Sequence, residues 1–338
     1  MLAGVTPILD PPASLTPARI RAIRQRLLAW YEAHEQTFPW RTARDPYSAL
    51  VAAVAAQHTQ MSRVVEIHER WMRAFPTLGD LARADRAEVL RVWGRAGYPR
   101  RAVALHETAL RCMEHHEGAL PRDPDALLAL PGVGPFTAGI VRTFGWGDDA
   151  HVIDTNIVRV IGRVFFGDLQ PARETSTAAI DAVAARLLPP GQGARWNPAL
   201  MDYGGRVCLP RPKCEGCALA SICIARPRFL AGEVAEPVRA QGRFDGSDRQ
   251  LRGRLMQALR DAHDTPASKK SRRPSPQPSP SSQERGPDAG RVRESTLLRS
   301  LDASGTPEVR ERAKRLLDGL IADGLAWRSG GRVGLGQR

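Results

Sequence analysis

Outside one short stretch, this 338-residue chain is almost without cysteine: four of its five lie between residues 208 and 223, and only Cys112 stands elsewhere. That scarcity, with nothing resembling a signal peptide at the N-terminus, argues against a secreted protein stapled by disulfides. Cys112 sits on an apolar helical stripe and reads as a plain core residue. No apolar run approaches the ~20 residues of a membrane span, so a soluble protein with no membrane partner is expected. The apolar/polar alternation of a half-buried sheet is also missing from residues 15–225, which leaves an all-α domain. Large apolar residues are nearly absent from 264–292, a stretch rich in Ser, Pro and charge. Such a segment cannot bury enough surface to fold, and disorder is expected there.

Positive charge, by contrast, is abundant. Lys and Arg number 49 against 36 Asp and Glu, a net +13, and the pI is near 10.5. That excess favours a polyanionic partner, nucleic acid ahead of anionic lipid. The Arg- and Ala-rich composition of GC-rich genomes fits it too, so charge alone decides nothing. A hydrophobic content of 42% in a chain this long is enough for two globular domains. Apolar residues recur at three- and four-residue spacing over 17–34, 46–57, 62–74, 85–93, 100–117 and 175–188, the period of helices. Pro, Gly and Asp separate these runs, as at Pro76-Thr77 and Pro121-Arg122-Asp123.

Beyond a linker at 228–247, amphipathic pieces at 248–262, 295–301 and 307–323 precede LAWRSGGRVGLG, two short extended runs around Gly330-Gly331. Three helices and then a small hairpin is the order of a winged-helix-like module, spanning 248–338 and interrupted by the disordered 264–292. Its third helix carries Arg310, Arg312, Lys314 and Arg315 and reads either as a DNA contact or as a solvated basic face.

Three motifs carry chemistry. Residues 208–223, CLPRPKCEGCALASIC, place Cys208, Cys214, Cys217 and Cys223 at C-x5-C-x2-C-x5-C spacing. Four thiolates from one loop suit a [4Fe–4S] cluster or a zinc ion, and the spacing does not choose between them. Residues 130–139, LPGVGPFTAG, read as a helix-hairpin-helix. Gly132 and Gly134 allow a tight turn whose exposed N–H groups, with the following helix N-terminus, face an anion. Such contacts with a DNA phosphate position the protein without reading sequence. Then HVIDTNIVRVIGRV puts Asp154 at the start of an amphipathic helix. Alone it is an N-cap. Between a phosphate-binding hairpin and a four-cysteine run it reads instead as a carboxylate stabilising positive charge on a sugar as a glycosidic bond breaks.

The order of FPWR (38–41), PYSALVAAVAAQHTQ (46–60), FPTLGDLA (75–82), LPGVGPFTAG, VIDTNIVRV (152–160), MDYGGRVC (201–208) and the cysteine run resembles the helix-hairpin-helix DNA glycosylases. The superfamily includes endonuclease III, and the likeness is greatest to its adenine-mismatch (MutY-type) and thymine-mismatch branches. It implies a two-lobed fold over residues 15–227, after a flexible 1–14. A six-helix lobe would span about 44–140, and an iron–sulfur lobe would combine 15–43 with 141–227. The resemblance also implies a [4Fe–4S] cluster on the four cysteines, base flipping and base-excision repair. Its partner would be double-stranded DNA holding a mispaired or damaged base, bound by a monomer in a bacterial cytoplasm, associated with the nucleoid. By the same resemblance Asp154 would be catalytic. Gln57, His58, Tyr98, Arg100, Gly132, Val133, Gly134, Phe136 and Thr137 would contact DNA, with Arg101 beside Arg100 as a further candidate phosphate contact.

The departures fall at consequential places. Where the adenine branch carries a glutamate that protonates the departing base, this chain has Ala53; general acids contribute roughly 10²–10⁴-fold. His58 replaces a usual glutamine and offers another proton donor. Phe136 stands where endonuclease III has its lysine nucleophile, so strand cleavage through a Schiff base is not expected. Pro99 replaces a wedge tyrosine beside Tyr98, and the first cysteine spacing is one residue short. The tail past 247 is too short for the oxidised-guanine recognition domain of the adenine branch. The expected activity is therefore a monofunctional glycosylase acting on a mispaired or damaged base. The alternatives are an enzyme for labile alkylated or thymine/uracil mismatch bases, and a DNA-binding protein with impaired catalysis.

Overall fold

The computed structural model describes residues 15–235, 242–264, 290–301 and 306–337. The expected flexible N-terminus, the middle of the expected linker and most of the expected disordered segment lie outside the described residues. No helix among the described residues is long and apolar enough to cross a membrane.

The longer helices follow the period of the apolar residues: α1 Pro17–His34, α2 Pro46–Ala56, α3 Met61–Ala74, α4 Arg86–Trp93 and α5 Arg100–His115. After them come α6 Pro135–Ile140, α7 Thr155–Ile161, α8 Thr177–Leu187 and α9 Gly193–Arg206. Local chemistry sets their ends. Thr16 caps α1 by accepting from Arg19 N–H, with Pro17 at the first helical position. α8 starts at 177 rather than 175 because Ser176 is its cap, accepting from Ala179 N–H. α5 stops at 115 because Glu117 and Gly118 turn left-handed, and Gly118 N–H returns to the Cys112 carbonyl. Both α6 and α7 continue into wider π turns, Val141–Trp146 and Gly162–Phe166.

Contacts group residues 1–54 with 120–240 in one compact unit, and 55–119 with 241–338 in another. In the first, Ile23, Leu27, Ala49, Ala53, Ile140, Phe144, Val152, Ile157, Trp196 and Tyr203 share one core. In this grouping the hairpin falls in the first unit, whose core includes Ile140 and Phe144.

In the second unit, the C-terminal residues form α10 Asp248–Asp264, β1 Arg291–Arg293, α11 Glu294–Leu301, α12 Pro307–Ala322, β2 Ala326–Ser329 and β3 Arg332–Leu335. The strands make one antiparallel sheet in the order β1-β3-β2, with Val292 opposite Val333 and Ala326 opposite Leu335. The hairpin turns on Gly330 and Gly331, both left-handed, and the Trp327 ring lies so close under Gly334 that a Cβ there would sit 2.6 Å from it. The element order is that of a winged helix. β1 begins inside the segment expected to be disordered: three residues with a single apolar side chain, Val292, become a strand by pairing with β3. The module does not stand apart from the rest of its unit. Arg260 donates to the Leu90 carbonyl at 3.4 Å, and Gly336 lies against the Ala87 backbone, where a Cβ would come within 2.6 Å.

Candidate active site

The hairpin is built as the glycines predicted at one position and differently at the other. Gly132 is left-handed, φ 73°, a conformation costly for any side chain. Gly134 has ordinary extended backbone and caps α6; a Cβ there would meet nothing within 4 Å. Its smallness leaves the turn open to a close-approaching group. The side chains of Val133 and Thr137 are buried, Thr137 at 1% exposure, so their part in any contact is through the main chain. Pro135 has no N–H, and the first N–H groups of α6 have no partner within the helix. Phe136 is half-buried against the core of the first unit.

Asp154 caps α7. Its Oδ1 accepts from Ile157 N–H at 2.7 Å and its Oδ2 from the Asn156 side-chain amide at 2.7 Å. Burial pushes its carboxyl above the usual carboxylate range, against the opposing pull of the Ile157 N–H, the Asn156 groups and the Arg159 guanidinium. The cap geometry is therefore present, and the same carboxylate is half-buried, fixed in orientation by two donors and poorly solvated. Behind α7, Gly204 of α9 packs on Asn156, where a Cβ would come within 2.7 Å. Ala53 belongs to the same core and is 2% exposed.

Arg159 ties α7 to the cysteine loop. It donates to the Asn156 Oδ1 at 2.7 Å, the Gly204 carbonyl at 2.7 Å and the Cys208 carbonyl at 2.5 Å. One turn later Arg163, 1% exposed, donates to the carbonyls of Leu169, Leu209 and Pro210 and approaches Cys208 Sγ at 3.5 Å. The Tyr203 hydroxyl meets Cys217 Sγ at 2.9 Å. Cys208, Cys214, Cys217 and Cys223 all open onto one cavity with Tyr203 and Arg163. Burial raises the thiols of Cys208, Cys214 and Cys223, the last to about 11. Among the described residues, no three His, Cys, Asp or Glu side chains form a group able to hold a metal ion. The donor chemistry nevertheless fits a thiolate-bound group: four sulfurs face one cavity, with a guanidinium and a phenol beside them to offset charge.

The second unit brings together Gln57, His58 and Tyr98. His58 and Tyr98 both hold left-handed backbones, φ 56° and 45°, rare for residues with a Cβ, and their rings lie 5.7 Å apart. Arg101 fixes the two loops. Its guanidinium donates to the carbonyls of Ala55, Gln57, Ala96 and Gly97 and stacks over Trp93 and Tyr98. It is 9% exposed, which corrects its reading as a phosphate contact; Arg100 next to it is exposed and lies 3.7 Å from Asp323. Arg312, expected on an open helix face, is likewise engaged, with Asp248 and the Gly246 carbonyl.

Reading the sequence missed Arg159 and Arg163 as the braces of the cysteine loop, and the buried pair of Arg41 with Asp202 at 2.8 and 2.9 Å. The last pair joins two of the quoted motifs, FPWR and MDYGG, and that shared membership was the available signal.

Residues 51–185 match the HhH-GPD family, the superfamily of base excision DNA repair proteins. An adenine DNA glycosylase of Mycolicibacterium smegmatis is 41% identical over 239 residues, 70% of this chain and 80% of that protein. A thymine/uracil-DNA glycosylase of Methanothermobacter thermautotrophicus is 31% identical over 199 residues, 58% of this chain and 90% of that one. Among solved structures, a thermostable thymine-DNA glycosylase superposes with a TM-score of 0.58 at 29% identity, covering 62% of this chain and 98% of its own. By these likenesses the chain belongs to the HhH-GPD superfamily of base excision DNA repair proteins, among its DNA glycosylases.

Proposed function

We propose that the chain is a monofunctional glycosylase that hydrolyses the N-glycosidic bond of a mispaired or damaged base in duplex DNA, adenine first among the candidates. The observation that carries this reading is the Asp154 carboxylate, half-buried, oriented by two donors and raised above its ordinary pKa, in the same unit as the hairpin. As the bond from the sugar to the base breaks, positive charge develops on the sugar. An ionised, poorly solvated carboxylate stabilises that charge strongly, and one already held in place needs no reorganisation at the moment of reaction. The N–H groups of the turn at Gly132–Gly134 would hold a backbone phosphate. With Phe136 in the hairpin there is no amine there to form a Schiff base, so the strand is left uncut.

Ala53 supplies no proton to the leaving base. Its surroundings are apolar core, which favours a substrate whose base leaves readily. A second reading, release of thymine or uracil from a mismatch, draws on the similarity to the thymine/uracil-DNA glycosylase.

Cys208, Cys214, Cys217 and Cys223 would hold a [4Fe–4S] cluster, whose contribution would be to tie the loop together. Arg163 and the Tyr203 hydroxyl would steady its sulfurs. The protein would act as a monomer on duplex DNA in a bacterial cytoplasm. The test is single-turnover base release from duplexes holding A opposite 8-oxoguanine, A·G, T·G, U·G or an alkylated purine. Release that is lost in Asp154→Asn supports the reading; tight duplex binding with no base released from any substrate rejects it. Purified protein should be brown, with broad absorption near about 400 nm from iron–sulfur charge transfer. A colourless, zinc-loaded preparation rejects the cluster.

A further inference from the structure

The positive charge of the C-terminal module has a definite place. Within the second unit, the turn 94–100 and α10 line one open groove, together with Ser300 and Leu301 of α11. Arg95, Arg100, Arg249, Arg252, Arg254 and Arg260 all line it, against the single carboxylate of Asp261. Four of these arginines have protein partners: Arg260 is buried on the Leu90 carbonyl, Arg252 and Arg100 pair with Asp323, and Arg249 donates to the Gly242 carbonyl. Arg95 and Arg254 are exposed, and neither guanidinium has a hydrogen-bond acceptor among the described residues. The same groove includes Tyr98, 57% exposed on its left-handed backbone. Six guanidinium groups against the two carboxylates of Asp261 and Asp323, with Arg95 and Arg254 left open, fit a rod of regularly spaced negative charge. On the third helix of the module, Arg312 is engaged with Asp248, while Arg310, Lys314 and Arg315 are exposed.

We infer that this groove is a docking site for the phosphate backbone of duplex DNA flanking the target base, so that α10 and the Tyr98 turn grip the duplex as one surface. This rests on duplex DNA being the substrate. The grip is electrostatic: it adds affinity without reading bases, and each arginine it uses displaces about one counterion from the duplex.

The test measures duplex affinity of the full-length protein between about 50 and about 200 mM salt, for the parent and for Arg95→Ala/Arg254→Ala. The slope of log affinity against log salt should become shallower by about 2, with equal loss on duplexes of unrelated sequence. Arg95→Lys/Arg254→Lys should restore the slope, which a purely structural role would not explain. A double Ala variant whose slope and affinity match a duplex-binding parent overturns the groove and leaves the glycosylase reading intact. A parent that binds no duplex at any salt overturns both. If the double variant loses binding to an oligo-glutamate peptide but keeps its full duplex slope, the groove is a site for acidic protein and the inference fails.

Discussion

The two units share one use of arginine, and the second unit adds another. In the first, Arg159 and Arg163 point inward and hold main-chain carbonyls around the cysteine loop. In the second, Arg101 does the same for the two left-handed loops, while Arg95 and Arg254 stand open along the groove and Arg100 is exposed beside Asp323. A planar guanidinium with five donors can satisfy several carbonyls that no helix or strand reaches, which an ammonium does poorly. A net charge of +13 therefore overstates the surface available to a polyanion. Adjacent arginines illustrate the point: Arg100 is solvent-facing and Arg101 is a buried brace.

Substitutions separate residues that hold the fold from those left open to a ligand. The largest expected effect is at Asp154, which caps α7 and which the proposed function makes the carrier of the catalytic charge. Asp154→Asn should cut single-turnover base release by roughly 10²–10³-fold or more. Asn is as good an N-cap as Asp, so the melting temperature should not fall. The raised carboxyl is protonated more readily in the folded chain than in the unfolded one, so its ionisation at neutral pH costs stability, and Asn removes that cost. In the parent, the Asp154 charge is lost as pH falls through a value above the ordinary carboxylate range. The acid limb of the rate profile should therefore lie higher than an unperturbed Asp would give; an acid limb in the ordinary range removes Asp154 from the titration.

Next in size are the inward arginines. Arg163→Met and Arg101→Met each strip several buried carbonyls of their donor and should cost about 3 kcal/mol or more in chemical denaturation. Arg100→Met, by contrast, should stay within about 0.5 kcal/mol. Equal losses at Arg100 and Arg101 would erase the distinction drawn between them. Ala53→Glu places a carboxyl in an apolar core and should lower stability by about 1–3 kcal/mol. If adenine is the natural base, it should also raise adenine release. The smallest pair concerns glycines. Gly204→Ala presses on Asn156 and should cost about 1–3 kcal/mol. Gly134→Ala has open space and should leave folding nearly unchanged while weakening duplex binding, measured by anisotropy.

Much of this was legible in the sequence because the signals are local. Apolar spacing placed α1 and α12 almost to the residue, and the left-handed turn at Gly132 follows from LPGVG. Cysteine spacing found the loop, and the position of Asp154 after an apolar pair announced its cap. What was not legible depends on distance or on the partner. Arg41 and Asp202 are 161 residues apart, and neither alone announces a pair. β1 exists only because β3 offers it an edge. Arg101 and Arg163 read as charge because sequence gives composition, not direction.

From the Cys208 carbonyl to the Arg159 guanidinium, on to the Asn156 amide and then to Asp154 Oδ2, three hydrogen bonds run without interruption. Each end of that relay leans on the other. Fraying of the loop on warming would loosen Arg159 and then the amide, leaving the carboxylate held at Oδ1 alone by the Ile157 N–H while α7 was still wound. Repair activity would then fade before the helices melt, with the loop as the fuse.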